Sequence, residues 1–228
     1  MKVLAIIPAR GGSKGIKDKN LAPLMGIPLI NHTMNYAVKH PLIDDIVVST
    51  DSHKILSHCE SNGIEVVKRP DELATDTALV IDAIKYTISF LEEKGRKYDV
   101  VLLLEPTSPL RTDELVDDAI EAVQKGYTSA STFEVIDPPP GRLWVMSDFT
   151  MVPLLDGHQP FIRRQDHAKG YKLTGQLYAF TPEFIKGSTI SVISDHMCPI
   201  ITKQRSVDID EPIDLLIAEK IIEYYENT

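Results

Sequence analysis

The sequence predicts an α/β fold with a mostly parallel central sheet flanked by helices. Short β-branched runs alternate with longer segments of helical period, the pattern of successive βαβ units. Most of the strand candidates are nearly continuous apolar runs, as strands covered on both faces must be. Hydrophobic residues make up 43% of the 228 positions, enough to fill one continuous core.

The elements follow in order. Strands are expected at 3–7, 45–50, 64–68 and 100–104, and only 64–68 departs from the apolar-run pattern. A helix is expected over 76–94, where Val80, Ile81, Ile84, Ile88 and Leu91 recur at three- and four-residue steps and make one face apolar. Leu115, Val116, Ala119, Ile120 and Val123 repeat the pattern after Pro109-Leu110-Arg111-Thr112. The regularity then breaks at Asp137-Pro138-Pro139-Pro140-Gly141, which can continue neither a helix nor a central strand. The stretch 137–172 lacks strong periodicity, holds the only tryptophan, Trp144, and is long enough to be a functional excursion. Strands are expected again at 173–180 and 190–193. Residues 206–210 then lead into a last helix that buries Ile213, Leu216, Ile217 and Ile221. The chain therefore reads as one domain, 1–228, with an inserted arm at 137–172.

The net charge of −9 argues against a broad nucleic-acid surface, which needs clustered Lys and Arg. An acidic protein that handles anions must concentrate positive charge locally. Cys59 and Cys198 are the only cysteines and need no disulfide scaffold, so a reducing cytoplasm is the simple expectation. No run approaches the roughly 18 apolar residues of a membrane helix. The apolar start Val3-Leu4-Ala5-Ile6-Ile7 is too short for a signal-peptide core. No membrane partner is expected.

Four segments could carry chemistry. The first is Pro8-Ala9-Arg10-Gly11-Gly12-Ser13-Lys14-Gly15, followed by Lys19 and Asn20, directly after the first strand. Ligands bind at the carboxyl ends of parallel strands, and glycines let backbone N–H groups approach a phosphate closely. Arg10, Lys14 and Lys19 supply the local positive charge. The segment fits neither G-x-x-x-x-G-K-[ST] nor G-x-G-x-x-G. Its bland alternative is a flexible turn with solvated lysines.

The second is Val207-Asp208-Ile209-Asp210. On extended backbone, residues two apart share a side, so both carboxylates face one way while Val207 and Ile209 face apolar packing. Two such charges repel unless a cation sits between them or one is protonated, and magnesium suits a few oxygen ligands completed by water and phosphate. Equally, Asp210 precedes Glu211-Pro212 and could be a helix N-cap. The third is Glu105-Pro106-Thr107-Ser108-Pro109-Leu110-Arg111, whose hydroxyls can donate and whose Arg111 can pair with an acid; alternatively it is a rigid turn capped by Thr112. The fourth is Phe161-Ile162-Arg163-Arg164-Gln165-Asp166. Its arginines are either solvated charge or a carboxylate clamp, since a guanidinium fork matches a carboxylate in two parallel bonds. His53 and His58 are five apart, share no face and read as surface residues.

Together these segments resemble the acylneuraminate cytidylyltransferase family, the CMP-sialic acid synthetases and their relatives acting on other nonulosonic acids. The resemblance spans nearly the whole chain. It rests on Ile7-Pro8-Ala9-Arg10-Gly11-Gly12-Ser13-Lys14-Gly15 with Lys19-Asn20, Ser49-Thr50-Asp51, and Arg69-Pro70 with Leu73-Ala74 and Asp76-Thr77. It continues through the Pro106-to-Arg111 stretch, Arg163-Arg164-Gln165, Gly175 with Leu177-Tyr178, and Asp208-Ile209-Asp210.

The resemblance implies a Rossmann-like fold of the nucleotide-diphospho-sugar transferase type, and a reaction in which CTP and an acidic sugar give a CMP-sugar and pyrophosphate. It implies that Ala9, Arg10, Gly11, Gly12, Ser13, Lys14, Asn20 and Arg69 bind the nucleotide, with Arg69 near the cytosine. Asp208 and Asp210 would hold Mg2+, and Arg10 and Lys14 would join them as catalytic groups. Glu105, Thr107, Ser108, Arg164, Gln165, Thr174 and Tyr178 would lie at the sugar. Arg164 would come from the neighbouring subunit, because family members form homodimers through an arm like 137–172.

Two positions depart from the family pattern, Glu105 where Gln is usual and Thr174 where Asn is usual. Replacing an amide with a carboxylate that only accepts changes what a site can bind, and an acid beside an acidic sugar repels it. The acceptor is therefore expected to be a modified relative of N-acetylneuraminic acid. Three other readings stand beside this one. A uridylyltransferase on sugar phosphates also places a Gly-rich basic loop after its first strand. A glycosyltransferase also uses Asp-x-Asp, although commonly mid-chain after a strand. A non-catalytic nucleotide-binding domain would keep the loop without turnover.

Overall fold

The computed structural model describes residues 1–75, 77–156 and 160–227. In chain order the elements are β1 (Val3–Pro8), β2 (Pro23–Leu24), β3 (Ile27–Pro28), α1 (Leu29–Lys39), β4 (Asp45–Thr50), α2 (His53–Ser61), β5 (Glu65–Lys68) and α3 (Val80–Glu93). There follow β6 (Val100–Leu103), α4 (Glu114–Gln124), β7 (Ser129–Val135), β8 (Trp144–Ser147), β9 (Thr150–Pro153), β10 (Tyr171–Phe180), α5 (Pro182–Gly187), β11 (Met197–Ile201) and α6 (Pro212–Glu226).

Seven strands form one sheet in the order β11-β7-β10-β6-β1-β4-β5. Every neighbouring pair is parallel except the two made by β10, which runs antiparallel to both β6 and β7. The central strand β1 is buried along Val3, Leu4, Ala5, Ile6 and Ile7, with alternate residues entering opposite layers. Ala5 and Ile7 join Met34, Ala37, Leu115 and Ala119 on one face; Leu4 and Ile6 join Ile81, Ile84, Ile88 and Leu91 on the other. Burial on both faces is why these strands read as unbroken apolar runs.

Three expectations need correction. The 190–193 stretch is not a strand; Ile190 is exposed and the edge strand is β11 instead. Ser188 Oγ donates to the Ser191 carbonyl, and Ser191 Oγ both donates to the Ile193 carbonyl and accepts from the Ile193 N–H. Local serine bonds of this kind compete with a strand ladder. Of the four residues predicted to be buried by the last helix, only Ile221 packs on the core. Ala218, with Leu215, Ile221 and Ile222, packs on Leu24, Leu29, Val207 and Ile209, while Ile213, Leu216 and Ile217 are exposed. Both stripes are apolar in sequence, so periodicity alone could not choose between them. The helix expected from Asp76 begins at Val80, and Asp76 itself lies outside the described residues.

Between β7 and β10 the chain leaves the sheet. There β8 and β9 pair only with each other, and every residue of both strands is exposed. At the root of this excursion β10 bulges between Leu173 and Tyr178, where Gly175 takes φ +70°. Cys59 and Cys198 are both free thiols. Among the described residues no helix is long and apolar enough to cross a membrane.

Candidate active site

A cleft of about 580 Å³ opens at the carboxyl ends of β1 and β6. Its floor is the glycine-rich segment: Arg10, Ser13, Lys14, Gly15, Lys19 and Asn20 all line it. The segment is held in shape by the protein itself. The Gly11 N–H donates to Asp51 Oδ1 at 3.0 Å, and the buried Asn20 donates from Nδ2 to the Arg10 carbonyl at 3.1 Å. Ala9 is fully buried and its N–H donates to the Ser49 carbonyl, so its side chain fixes the loop's departure from the sheet.

Arg69 forms part of the wall. It is buried, donates from Nη2 to the Ser49 carbonyl at 2.5 Å, and keeps a buried Nε without a partner among the described residues. A buried guanidinium N–H left unmatched beside a cleft is a donor suited to a ligand acceptor. Thr75, Ala78, Leu79 and Val80 complete that wall. Sequence reasoning gave these four no place in a site, because small and apolar residues just before a helix or at its first position carry no motif.

The aspartate segment comes to this cleft from the other end of the chain. The 206–210 segment is not a ladder strand, but its burial alternates as extended backbone requires. Val207 and Ile209 enter the core while Asp208 and Asp210 are exposed. Asp210 lines the cleft, and Asp208 faces an adjoining groove along α6. Lys19 Nζ donates to Asp210 Oδ1 at 2.8 Å and to the Ile209 carbonyl at 2.9 Å. Asp210 is not the helix cap. Glu211 occupies that position in a reciprocal capping box with Asp214, which leaves the Asp210 carboxylate available to the cleft.

Asp208 is exposed at the surface, yet the protein packed around its carboxyl desolvates it; this first, and then the charge of Asp210, raises it above its ordinary range, although a hydrogen bond from Thr107 opposes both. Like charges crowded in this way are what a divalent cation relieves. Among the described residues no group of three His, Cys, Asp or Glu is ready to hold a metal. Two carboxylates alone would leave most of a divalent ion's ligands to phosphate and water, an arrangement magnesium tolerates.

Glu105 and Thr107 line the cleft opposite the glycine-rich floor. Burial chiefly, and then Asp208, push the Glu105 carboxyl up to about 7. This modifies the expectation that a carboxylate here only accepts, because near neutral pH much of Glu105 carries a proton and can donate as an amide does. Tyr178 is half-buried nearby; burial first, then the charges of Glu105 and Asp208, raise its hydroxyl.

Other members of the predicted set serve the framework. Ser108 is fully buried and donates to the Thr174 carbonyl at 2.9 Å. Thr174 Oγ1 is buried and donates to Thr132 Oγ1 at 2.6 Å, so its hydroxyl is committed to β7 and not to the cleft. Among the described residues Arg111 forms no ion pair with an acid side chain. It donates to the carbonyls of Gln176 and Glu105 at 2.5 Å and to Thr33 Oγ1 at 2.9 Å, fastening the Glu105 loop to β10. Its burial lowers the guanidinium to about 10. Thr112 caps no helix, since α4 has Asp113 at its N-cap and no side-chain cap. Arg164 and Gln165 stand on the excursion outside this cleft; Arg164 pairs with Asp137 at 2.7 Å and Arg163 with Asp166 at 2.8 Å.

The cytidylyltransferase family model matches residues 4–175 of this chain. The chain belongs to the cytidylyltransferase family. It is 33% identical over 235 residues to CMP-N,N'-diacetyllegionaminic acid synthase of Legionella pneumophila, covering 98% of this chain and 97% of that one. It is also 33% identical over 219 residues to the N-acylneuraminate cytidylyltransferase of Streptococcus agalactiae serotype III, covering 95% of this chain but only 52% of that longer protein. Among solved structures it resembles CMP:2-keto-3-deoxy-manno-octonic acid synthetase complexed with CTP. There the TM-score is 0.72 at 15% identity, with 99% of this chain and 100% of the other covered, a likeness of fold.

Proposed function

We propose that this chain couples CTP to an acidic nonulosonic sugar, releasing pyrophosphate. The observation that carries this reading is the approach of the aspartate segment to the glycine-rich basic floor: Asp210 shares the cleft with that floor and pairs with Lys19 at 2.8 Å, while Asp208 borders the adjoining groove. Arg10, Ser13 and Lys14 would hold the triphosphate, Asn20 the loop and ribose, and Arg69 the base. Asp208 and Asp210 would hold Mg2+, which when bound would offset phosphate charge and lower the pKa of a coordinated hydroxyl. The anomeric hydroxyl of the sugar attacks the α-phosphorus of CTP and the bond to pyrophosphate breaks in line. The chain's part is to position both substrates and to stabilise charge growing on the leaving group, through Arg10 and Lys14.

The acceptor we favour is a modified relative of N-acetylneuraminic acid. Relatives named for different acceptors are equally identical to this chain, so the preference is placed on Glu105 beside Asp208 and Tyr178: a group that is part carboxylate and part carboxylic acid near neutral pH offers the sugar a different partner from an amide, which is never charged. The excursion at 137–172 would serve as a homodimer arm. Its exposed Trp144, Phe149, Met151 and Phe161 would gain a covering surface, and Arg164 and Gln165 would reach a partner's cleft.

Pyrophosphate release from CTP, UTP and dTTP with Mg2+, across a panel of sugar acids and sugar phosphates, tests the proposal. CTP with a nonulosonic acid should be the productive combination. Turnover with UTP and a sugar phosphate would instead favour the uridylyltransferase reading, and CTP binding without any release would favour a non-catalytic domain. A clear preference for N-acetylneuraminic acid would refute the acceptor assignment alone.

A further inference from the structure

The segment that bears the aspartate pair is anchored from several directions. The Ile209 N–H donates to the Thr107 carbonyl at 2.8 Å, Lys19 holds its far end, and Asp214 accepts from the N–H groups of Asp210 and Glu211. A further anchor comes from the root of the excursion. Glu134 Oε2, near the end of β7, accepts from the Ser206 N–H at 2.9 Å, two residues before Asp208. Its other oxygen, Oε1, meets Lys172 Nζ at 2.8 Å. Lys172 and Glu134 are direct cross-strand partners in the short β7–β10 ladder beyond the bulge. The Glu134 side chain is only 14% exposed, so these contacts are largely withdrawn from solvent. Burial pushes its carboxyl up, but the bonds from Lys172 and Ser206 outweigh this and keep it below the usual range.

We infer that Glu134 is a positioning residue that ties the stem of the excursion to the Asp208 segment and so sets how well that segment holds a divalent cation with CTP. The inference rests on the assignment of Asp208 and Asp210 as the metal pair. Glu134 does not line the cleft that holds Asp210 and the glycine-rich floor. It acts by fixing the backbone at Ser206, as groups behind a metal's direct ligands do when they orient those ligands. The stem and the metal segment then move as one bonded unit, and a change in the seating of the arm reaches the ion through this side chain.

The test is calorimetric and needs no turnover. CTP affinity is measured in EDTA and in excess Mg2+, and the ratio gives the metal-dependent gain. Glu134→Ala should lose roughly tenfold or more of that gain, the scale seen when such orienting partners are removed, with CTP affinity in EDTA unchanged. Glu134→Gln keeps an acceptor for Ser206 and should recover part of it. Lys172→Met leaves the Ser206 bond and should lose less than Glu134→Ala. If Glu134→Ala is too unstable to fold, the Gln and Met variants still order the effect. A full metal gain in Glu134→Ala, or in both other variants, overturns the inference even if melting temperatures fall. Asp208→Ala separates the two levels: if that variant also keeps the full gain, the metal assignment has failed rather than the role of Glu134.

Discussion

Lys19 Nζ bonds Asp210 Oδ1 at 2.8 Å across 191 residues of sequence. The bond closes the cleft between the first strand's loop and the entry to the last helix, and it sets a basic group against the acid pair. The same lysine also holds the Ile209 carbonyl, so it governs the backbone as well as the charge. Lys19→Met should therefore lower kcat/KM for CTP at least tenfold. Its cost in stability should be below about 1 kcal/mol, because Asp210 is 70% exposed and water screens the pair. Steady-state kinetics and chemical denaturation together check this, and a variant that loses stability but keeps its kcat/KM would contradict it.

Asp208→Asn removes one charge from the pair while leaving shape nearly unchanged. Its exposure means the fold should survive, with far-UV circular dichroism and melting temperature close to those of the parent. Turnover should fall about a thousandfold or more, since charge stabilisation by a bound cation is worth several kcal/mol. Near-normal turnover would remove the aspartate pair from the mechanism.

Glu105 links the site to pH. Its folded pKa of about 7 lies above the ordinary 4.5, so the native state keeps a proton that the unfolded chain has already released. Stability should fall as pH rises from about 4.5 to 7 and stay lowered above that, by an upper limit of about 3 kcal/mol for this shift. Glu105→Gln cannot ionise and should melt higher than the parent at pH 8, with a flatter profile between pH 5 and 8. Melting curves in EDTA measure this without interference from a cation, and parallel profiles for the two proteins would refute it.

Much of this was legible in the sequence, and the reasons are physical. The doubly covered strands appear as apolar runs, the glycine-rich basic loop announces itself by composition at the end of a strand, and Asp-x-Asp does so by its alternation with Val207 and Ile209. What could not be read is how side chains are shared between distant elements. Thr174 looked like a ligand position, yet its hydroxyl is taken by Thr132. Arg111 looked like an acid's partner, yet three neutral oxygens from separate segments claim it. Glu134 carried no local signal, because its meaning lies in a contact with Ser206 that is 72 residues away. The apolar stripe chosen for the last helix failed similarly, since two stripes were available and only tertiary packing selects one.

Gly15 offers a steric test of the two-ended cleft. A Cβ at Gly15 would lie 2.1 Å from the Asp210 carbonyl oxygen and 3.2 Å from its carbon, both backbone atoms that no rotamer change can clear. Gly15 does not sit at positive φ, so alanine meets no conformational objection there and the effect is one of space alone. Gly15→Ala must push the glycine-rich loop and the aspartate segment apart. Overpacking of this kind costs roughly 1–3 kcal/mol, and the displaced loops should lower kcat/KM by about a hundredfold or more. Gly187→Ala is the control: it has nothing within 4 Å of the added atom, and it should change neither stability nor rate appreciably. If Gly15→Ala melts and turns over like Gly187→Ala, the floor and the acid segment are not in the contact described, and the cleft cannot bring triphosphate and cation together as proposed.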